Sequence, residues 1–404
     1  MEVHMLVTER YPLGWTLLVR CWRGVAMLLI CTATLACSTT PEHVRSVSQL
    51  APLQLEHQTV TVAGVAASVP TPELLATDAQ MREFVQRYTG GVRNSRQRLM
   101  MLHRAITGMA TLNIEYDPLA DGTAQEVFHR GSANCLSYAN LFVALAREAG
   151  LKANYQWQEV RPQWSRTGER LMVRLHVNVI VTLQGGGKYM VDIDPLPSRD
   201  IAGSKQISDV AAEALYYNNI AMDALAKENL EQAWLHEVRA LELAPDEPHF
   251  WVNLGAIYRF VGQHREAESS YLYALELDRW DRSAMNNLVV LYNLEGREED
   301  KDYWEGRVGR YRDRNPYYHA WLGDQAVETD DWSMALEHYE EALALTPDDS
   351  HLLYSAGLVH YRLDELQEAS TYIKRAIQSA TLRSDIETYK IQLNAVKRKQ
   401  LAGI

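Results

Sequence analysis

The spacing of apolar residues along the first half of the chain predicts helices followed by strands. In two stretches, 73–88 and 94–109, apolar residues recur at helical intervals and glycines separate the two stretches, which indicates a pair of helices. A stronger apolar stripe over 134–148 predicts a third helix, which Gly150 ends. Strand-like runs follow at 153–160, 173–182 and 188–194. This order of elements is typical of an α+β domain.

From about residue 214 the pattern changes to a helical repeat of 34 residues. Gly255, Val289, Gly323 and Gly357 occupy the same place in successive repeats, each 34 residues after the one before. Small residues let two helices approach closely, and large residues fill the space against the next unit. A period of this length is typical of a tetratricopeptide unit, which is a helix-turn-helix pair.

The unit at 248–281 resembles the tetratricopeptide pattern closely. Large and small residues alternate at the places that this pattern requires: Trp251, Leu254, Gly255, Tyr258, Ala267, Tyr271 and Ala274. We expect five units between 214 and 383, of which the third is degenerate around 298–307, and a capping helix at 384–404. The C-terminal part is therefore predicted to be an all-α solenoid.

The N-terminal segment has the features of an export signal. Arg20 and Arg23 precede an apolar run at 24–36 that is too short to span a bilayer. The run ends in TLAC, which resembles the lipobox of bacterial lipoproteins and makes Cys37 the expected lipidation site, although Thr34 departs from the usual Leu. Ordinary secretory cleavage and an uncleaved anchor helix are the alternatives. The long stretch before Arg20 also allows a start codon further downstream.

These features predict a protein held at a membrane by a spacer. We expect a lipoprotein-type signal at 1–36 and a polar tether at 37–72, with a short edge strand at 59–65. By resemblance to lipoproteins, Ser38 after the cysteine favours the outer membrane. The expected location is thus the bacterial cell envelope, with the protein facing the periplasm.

Composition limits the possible functions. Of the 404 residues, 47% are apolar and 23% are charged, as in globular proteins with two or three domains. The formal net charge of −12 argues against nucleic-acid binding, which needs an excess of Lys and Arg on one face. Three of the four cysteines lie in or next to the signal, so a disulfide framework is not expected.

Cys135, His176 and a nearby aspartate are the candidate catalytic residues. Cys135 lies at the predicted start of the third helix, where unpaired N–H groups and the helix dipole stabilise a thiolate. His176 interrupts an apolar strand, and Asp192 and Asp194 share one face of the next strand. Each alone has a structural explanation: a packed cysteine, a satisfied core histidine, or a strand end at Pro195. Together they follow the order of a Cys-His-Asp triad.

The residues around these three resemble the bacterial transglutaminase-like superfamily of papain-like cysteine enzymes. The resemblance rests on the segments 128–137, 142–151, 175–179 and 189–192. It implies a papain-like domain at 73–205, and by the family pattern the aspartate is Asp192, with Asp194 in reserve.

The resemblance also implies a reaction. His176 takes the thiol proton, Asp192 orients the imidazole, and Cys135 attacks an amide or ester carbonyl. Water as the acyl acceptor gives a peptidase or amidase, whereas an amine gives a transglutaminase, and the sequence leaves both open.

The repeats predict a groove that binds a protein or peptide. By resemblance to other tetratricopeptide scaffolds, the polar residues expected in the groove are His249, Arg259, Asn286, Asn293 and Tyr317. The alternative is that these are merely solvated surface residues. The acidic chain would suit a basic or neutral peptide.

Two functions follow from these features. The leading one is an envelope thiol acyltransferase or hydrolase whose repeats recruit a protein substrate or partner. The other is a non-catalytic scaffold lipoprotein in which the transglutaminase-like domain is a relic used for binding. Self-association through the array is a third possibility. No cofactor is expected, and no metal site either, because no His or Cys pair stands at ligand spacing outside the signal.

Overall fold

The computed structural model describes residues 46–160, 176–196, 200–380 and 383–402. The predicted signal, the lipidation candidate Cys37 and residues 173–175 of the second predicted strand lie outside this part of the chain. Within it, no helix combines the length and the apolar character needed to cross a membrane.

The segment predicted as a tether packs against the rest of the protein where it is described. A 3₁₀ helix at Val47–Gln49 precedes strand β1 (Leu53–Gln54), strand β2 (Thr59–Val60) and helix α1 (Val62–Ser68). Leu53 and Val65 are fully buried, and the Tyr258 hydroxyl donates to the Ala51 carbonyl. The tether prediction is wrong over this stretch, because a few buried apolar residues anchor an otherwise polar segment. The strand predicted at 59–65 is present only at Thr59–Val60, and α1 follows it.

Four helices and a four-stranded sheet form the α+β domain. The helices are α2 (Ala79–Thr89), α3 (Ser95–Thr107), α4 (Ala124–Arg130) and α5 (Cys135–Glu148). A short parallel pair, β3 (Glu115–Tyr116) and β4 (Ser132–Ala133), flanks α4. The sheet contains β5 (Lys152–Val160), β6 (His176–Thr182), β7 (Lys188–Val191) and β8 (Ile201–Ile207). Its strands are antiparallel in the order β7-β6-β5-β8.

Most predicted elements of this domain are present with shifted ends. Helix α2 begins later than predicted, because the Asp78 side chain caps it by accepting from the Met81 N–H at 2.9 Å. Strand β7 ends at Val191, so Asp192 and Asp194 follow the strand and do not share its face. Strand β8 was not predicted, since its glycine and polar residues hide the alternation of a strand.

The core of the domain lies between α5 and the sheet. Phe142 of α5 and Val179 and Val181 of β6 are fully buried there. A polar residue inside this core is satisfied: Asn140 Oδ1 accepts a hydrogen bond from the Tyr155 hydroxyl at 2.7 Å. Because a buried polar group without a partner costs free energy, this bond allows α5 to carry an amide in its apolar interior.

Residues 200–380 contain five helix pairs, and a further helix follows. The pairs are α6 (Asp209–Ala226) with α7 (Leu230–Leu243), α8 (Pro248–Phe260) with α9 (His264–Leu277), α10 (Arg282–Glu295) with α11 (Glu298–Asp313), α12 (Pro316–Glu328) with α13 (Trp332–Leu345), and α14 (Ser350–Arg362) with α15 (Leu366–Ser379). Helix α16 (Arg383–Ala402) ends the described chain. The unit called degenerate from its sequence forms a complete helix α11, which buries Trp304 and Val308.

The turn inside each pair contains one residue with a left-handed backbone. These residues stand 34 positions apart, at Glu228, Gly262, Gly296, Asp330 and Asp364, with φ of 59°, 79°, 68°, 58° and 66°. Only two of the five are glycines, the residue that adopts this conformation without strain. The backbone therefore keeps the period at places where the sequence does not mark it.

A close helix approach explains the repeated glycines. A Cβ atom on Gly255 would lie 2.5 Å from the Tyr271 ring, and one on Gly323 would lie 2.8 Å from the Tyr339 ring. No side-chain carbon is tolerated at such distances, so each glycine makes room for an aromatic residue of the following helix.

Buried apolar residues of the described chain form two clusters. The first extends from Leu50 to Val308 and joins the α+β domain to the first three helix pairs. The second extends from Ala326 to Val396. The predicted fold class is confirmed: an α+β domain precedes an all-α array of helix pairs.

Candidate active site

Cys135 is the first residue of α5, and its neighbours fix the start of that helix. Asn134 Oδ1 accepts a hydrogen bond from the Ser137 N–H at 2.8 Å, which caps the helix. The side-chain nitrogen of Asn134, Nδ2, donates to Asp121 Oδ1 at 2.6 Å. Cys135 carries a free, partly buried thiol. Since a helix N-terminus stabilises negative charge, this position suits a thiolate.

His176, the first residue of β6, lies between Cys135 and Asp192. Its Nε2 is 2.6 Å from Asp192 Oδ2, and the Cys135 thiol is close enough to the ring to influence its pKa. The His176 and Asp192 side chains are only 5% and 3% exposed. Because the carboxylate engages Nε2, the ring presents Nδ1 to the sulfur. The structure thus brings the three residues together, with a hydrogen bond between His176 and Asp192.

Asp192 is held at both carboxylate oxygens. Oδ2 also accepts from Asn178 Nδ2 at 3.4 Å, and Oδ1 accepts from the Asp194 N–H at 3.2 Å. The structure thus brings Asp192 to His176, and Asp194 supports it through its backbone. The sequence could not separate these two aspartates, because they are equivalent until the end of the strand is known.

The pKa of His176 is raised to about 9. Burial lowers the pKa of this imidazole, but hydrogen bonds to Asp192 and Cys135, together with their charges, outweigh burial. At neutral pH the ring is therefore a cation. The Asp192 carboxylate, 2.6 Å from Nε2, balances the charge of this imidazolium.

Two family models match parts of the chain. Residues 82–194, which include Cys135, His176 and Asp192, match the model of the transglutaminase-like superfamily. Residues 251–285 match the tetratricopeptide repeat. The chain contains a transglutaminase-like domain followed by tetratricopeptide repeats.

Curated relatives match a minor part of the chain. The human protein O-mannosyl-transferase TMTC3 is 27% identical over 171 residues, which are 39% of this chain and 19% of the relative. The Caenorhabditis elegans protein O-mannosyl-transferase F38B6.6 is 32% identical over 97 residues, which are 24% of this chain and 13% of the relative. The chain spans less than a fifth of the length of these relatives.

Among solved structures, similar chains include MamA from Desulfovibrio magneticus RS-1, at 15% identity and a TM-score of 0.24. The match covers 43% of this chain and 96% of MamA. Another is YrrB, described as a tetratricopeptide protein with an unusual peptide-binding site, at 17% identity and a TM-score of 0.23. That match covers 44% of this chain and 91% of YrrB.

The Cys135 thiol opens into a cleft of about 390 Å³ between the transglutaminase-like domain and the first helix of the array. The domain lines it with Tyr116, Leu119, Asp121 and Val177, and α6 lines it with Leu215, Asn219, Met222 and Asp223. A second cavity of about 500 Å³ is lined by residues of α6, α8 and α10 and shares Asn219 and Met222 with the first. The two cavities therefore adjoin the same part of α6.

Tyr138 and Gln158 are buried polar residues at the site that the sequence analysis missed. Tyr138 lies one turn after Cys135, and burial, followed by the charge of Asp192, raises its pKa. Gln158 pairs with His176 in the register of β5 and β6. Among the described residues, the Tyr138 hydroxyl and Gln158 Oε1 have no hydrogen-bond partner. The sequence does contain a signal for each residue. Tyr138 stands three positions after Cys135 on the same helix, and Gln158 is a polar residue inside an apolar strand.

One of the five residues predicted for the groove lines the second cavity. His249 lies there, with its ring 5.0 Å from that of Trp157. Burial, and then the charge of Lys205, lowers its pKa to about 3. His249 is therefore a neutral side chain at neutral pH, suited to hydrogen bonding and not to charge pairing.

The other four predicted groove residues lie outside the lining of both cavities. The Arg259 guanidinium lies 5.7 Å from the centre of the Phe260 ring on its own helix. Asn286 donates to a backbone carbonyl of its own helix at 3.0 Å. Asn293 is exposed and Tyr317 is partly buried. A binding role for these residues and for His249 stays a prediction.

Proposed function

We propose that the protein is a thiol acyltransferase or hydrolase with Cys135 as its nucleophile. The observation that carries the proposal is that Cys135 stands at the start of a helix beside His176, whose ring is hydrogen-bonded to Asp192. This arrangement fits nucleophilic catalysis, because the base adjoins the nucleophile and is itself oriented by a third group.

In the proposed reaction, Cys135 Sγ attacks the carbonyl carbon of an amide or ester while His176 holds the thiol proton. His176 then gives this proton to the leaving amine or alcohol, and a thioester remains on Cys135. We assign stabilisation of the oxyanion to the Cys135 backbone N–H at the helix N-terminus. Water or an amine then attacks the thioester, gives up a proton through His176 and releases the thiol.

The tetratricopeptide repeats support a protein or peptide as the substrate or partner, since arrays of this type present extended binding surfaces. We assign the path from the array to the thiol to the two cavities, whose linings share Asn219 and Met222. A peptide held against α8 and α10 could thus extend to Cys135 without leaving the protein surface.

The charge of the path favours a basic or neutral peptide. Asp121 and Asp223 line the thiol cleft, and Asp278 and Asp281 line the second cavity, where Arg282 is the opposing cation. A cationic segment would gain from this excess of carboxylates, whereas an acidic segment would be repelled.

The experiment that tests the proposal is acylation of the full chain by p-nitrophenyl acetate. We expect a burst of nitrophenol and a single acetyl group on the Cys135 peptide by mass spectrometry, both lost in Cys135→Ala. Added primary amine speeds release if the enzyme is a transferase and leaves it unchanged if water is the acceptor. Absence of acetylation at Cys135 in the wild-type protein would favour the non-catalytic scaffold.

We also propose that the protein is exported and carries a lipid on Cys37, in the outer membrane facing the periplasm. The support is the apolar run at 24–36 ending in a lipobox-like sequence. Cys37→Ser should release the protein from the membrane fraction and remove the mass of the acyl chains. Unchanged fractionation and mass would exclude lipidation at this residue.

A further inference from the structure

Three potential metal ligands converge in the fourth helix pair. His319 lies on α12, and His338 and Glu341 lie one turn apart on α13. Their ligand atoms all lie within 4.8 Å of one another. Glu341 Oε2 is 2.9 Å from His319 Nδ1 and 3.2 Å from His338 Nδ1.

The His319 ring is already oriented as a ligand. Its Nε2 lies 3.0 Å from the Asp313 carbonyl oxygen, which can only accept, so Nε2 carries the proton. In the neutral ring, Nδ1 then carries a lone pair, and it lies 2.9 Å from the Glu341 carboxylate. This buried nitrogen has no hydrogen-bond partner among the described residues, despite its short distance to Glu341. A lone pair and a carboxylate so close repel each other unless a proton or a metal ion lies between them.

We propose that His319 Nδ1, His338 Nδ1 and the Glu341 carboxylate bind a divalent transition metal, with Zn²⁺ as the best fit. Two imidazoles and one carboxylate suit Zn²⁺, whereas Ca²⁺ and Mg²⁺ prefer sets made of oxygen ligands. Zinc bonds to nitrogen and oxygen are about 2.0 to 2.2 Å long, so ligand atoms roughly 3.3 Å apart surround a tetrahedral ion. The observed separations need only small side-chain shifts.

The surroundings of the cluster support this assignment. The hydrogen bond from His319 to a carbonyl is the outer contact that metal-bound histidines make, and it fixes which nitrogen faces the ion. Glu341 is 48% exposed on its side chain, so water can reach the fourth position and the ion can enter from solvent. Spacing along the sequence does not reveal this site, because its two histidines lie on different helices.

The proposed site lies where the two apolar clusters of the chain separate. The first cluster ends at Val308 in α11 and the second begins at Ala326 in α12. Asp313, which holds the His319 ring, is the last residue of α11. A bound ion would therefore connect the end of α11, α12 and α13 across this junction. Its role is structural, stiffening the array between the third and fourth pairs.

The test is metal titration of the full chain after removal of metals by a chelator, read by thermal unfolding and by Co²⁺ absorption. His338→Gln and Glu341→Gln are the test variants. His264→Gln is the matched control, because His264 forms a His–Glu pair with Glu295 at 3.3 Å that lacks a third ligand. Glu341→Gln changes a half-exposed residue, so it keeps the test valid if His338→Gln fails to fold.

We expect the wild-type protein and His264→Gln to bind one Zn²⁺ per chain. Both should show a rise in melting temperature with Zn²⁺ and a tetrahedral spectrum with Co²⁺. Both test variants should bind roughly tenfold more weakly or worse. Equal binding by all four proteins would overturn the proposal and assign the metal to thiols elsewhere. No binding by the wild-type protein would also overturn it, and would leave protonated histidines sharing Glu341 as the explanation of the cluster.

Discussion

Asn219 of the first array helix donates a hydrogen bond to Asp121 Oδ1 at 3.2 Å, and the same oxygen accepts from Asn134 at 2.6 Å. Asn134 caps the helix that begins with Cys135. One carboxylate therefore connects the repeat array to the nucleophile helix. The transglutaminase-like domain and the first repeat also line the cleft at Cys135 together and belong to the same cluster of buried apolar residues.

Loss of this carboxylate should destabilise the protein. Asp121→Ala leaves two amide donors without their acceptor, which we expect to cost about 2 kcal/mol in the free energy of unfolding. Asp117→Ala is the control, because Asp117 accepts only a local bond from the Leu119 N–H at the surface and should cost less than about 1 kcal/mol. Urea denaturation measures both. Equal effects of the two changes would mean that Asp121 does not connect the two parts.

Asp192 should set the charge of His176. Asp192→Asn removes the negative charge that helps to raise the pKa of His176 to about 9, so this pKa should fall toward the ordinary value of about 6.5. The His176 ring signals followed by NMR against pH measure the change. Asp194→Asn is the control, since Asp194 reaches Asp192 through its backbone N–H, which the change retains. A larger fall in Asp194→Asn would reverse the assignment of the two aspartates.

The repeated glycines should be required only where two helices touch. Gly255→Ala directs a methyl group into the buried Tyr271 ring, at a distance of 2.5 Å, and we expect it to cost about 1 to 3 kcal/mol. Gly309→Ala in α11 meets nothing within 4 Å and should stabilise the helix by about 0.5 to 1 kcal/mol. The two melting temperatures should move in opposite directions. A neutral Gly255→Ala would contradict the close approach.

Glu237 should make stability depend on pH. It is fully buried on α7, and burial raises its pKa well above 4.5. The folded chain holds this proton more tightly than the unfolded chain does. The contribution of protonated Glu237 to stability is therefore fully present below pH 4.5, and it is lost as the pH rises toward the folded pKa. Each pH unit in this window costs about 1.4 kcal/mol.

The change that removes this dependence is Glu237→Gln. The free energy of unfolding of this variant should exceed that of the wild-type protein by more at pH 7 than at pH 5. Glu242→Gln, on the same helix at the surface, controls for general effects of charge. A difference between Glu237→Gln and the wild-type protein that stays constant with pH would mean that Glu237 is not protonated in the folded protein.

Local sequence patterns predicted the structural elements that depend on residues close together along the chain. The helix that begins at Cys135 follows from an apolar stripe and its end at Gly150, and the array follows from its period. The choice of Asp192 over Asp194 could not be predicted, because it depends on where β7 ends and how Asn178 reaches across from β6.

Other features escaped prediction because they depend on contacts between distant segments. The segment around Leu53 has a polar composition, yet the array buries that residue completely. The left-handed turns at Asp330 and Asp364 carry no glycine, so only their backbone shows the period. His319 and His338 meet only because α12 packs on α13.

The most direct measurement of the central claim is the rate of Cys135 alkylation by iodoacetamide at neutral pH, in the full chain and in His176→Ala, with both proteins shown to be folded by circular dichroism. Labelling is counted on the peptide that contains Cys135, so the other cysteines do not contribute. If His176 prepares Cys135 as a nucleophile, the wild-type rate should exceed that of His176→Ala by roughly tenfold or more. Equal rates in the two proteins would contradict the account.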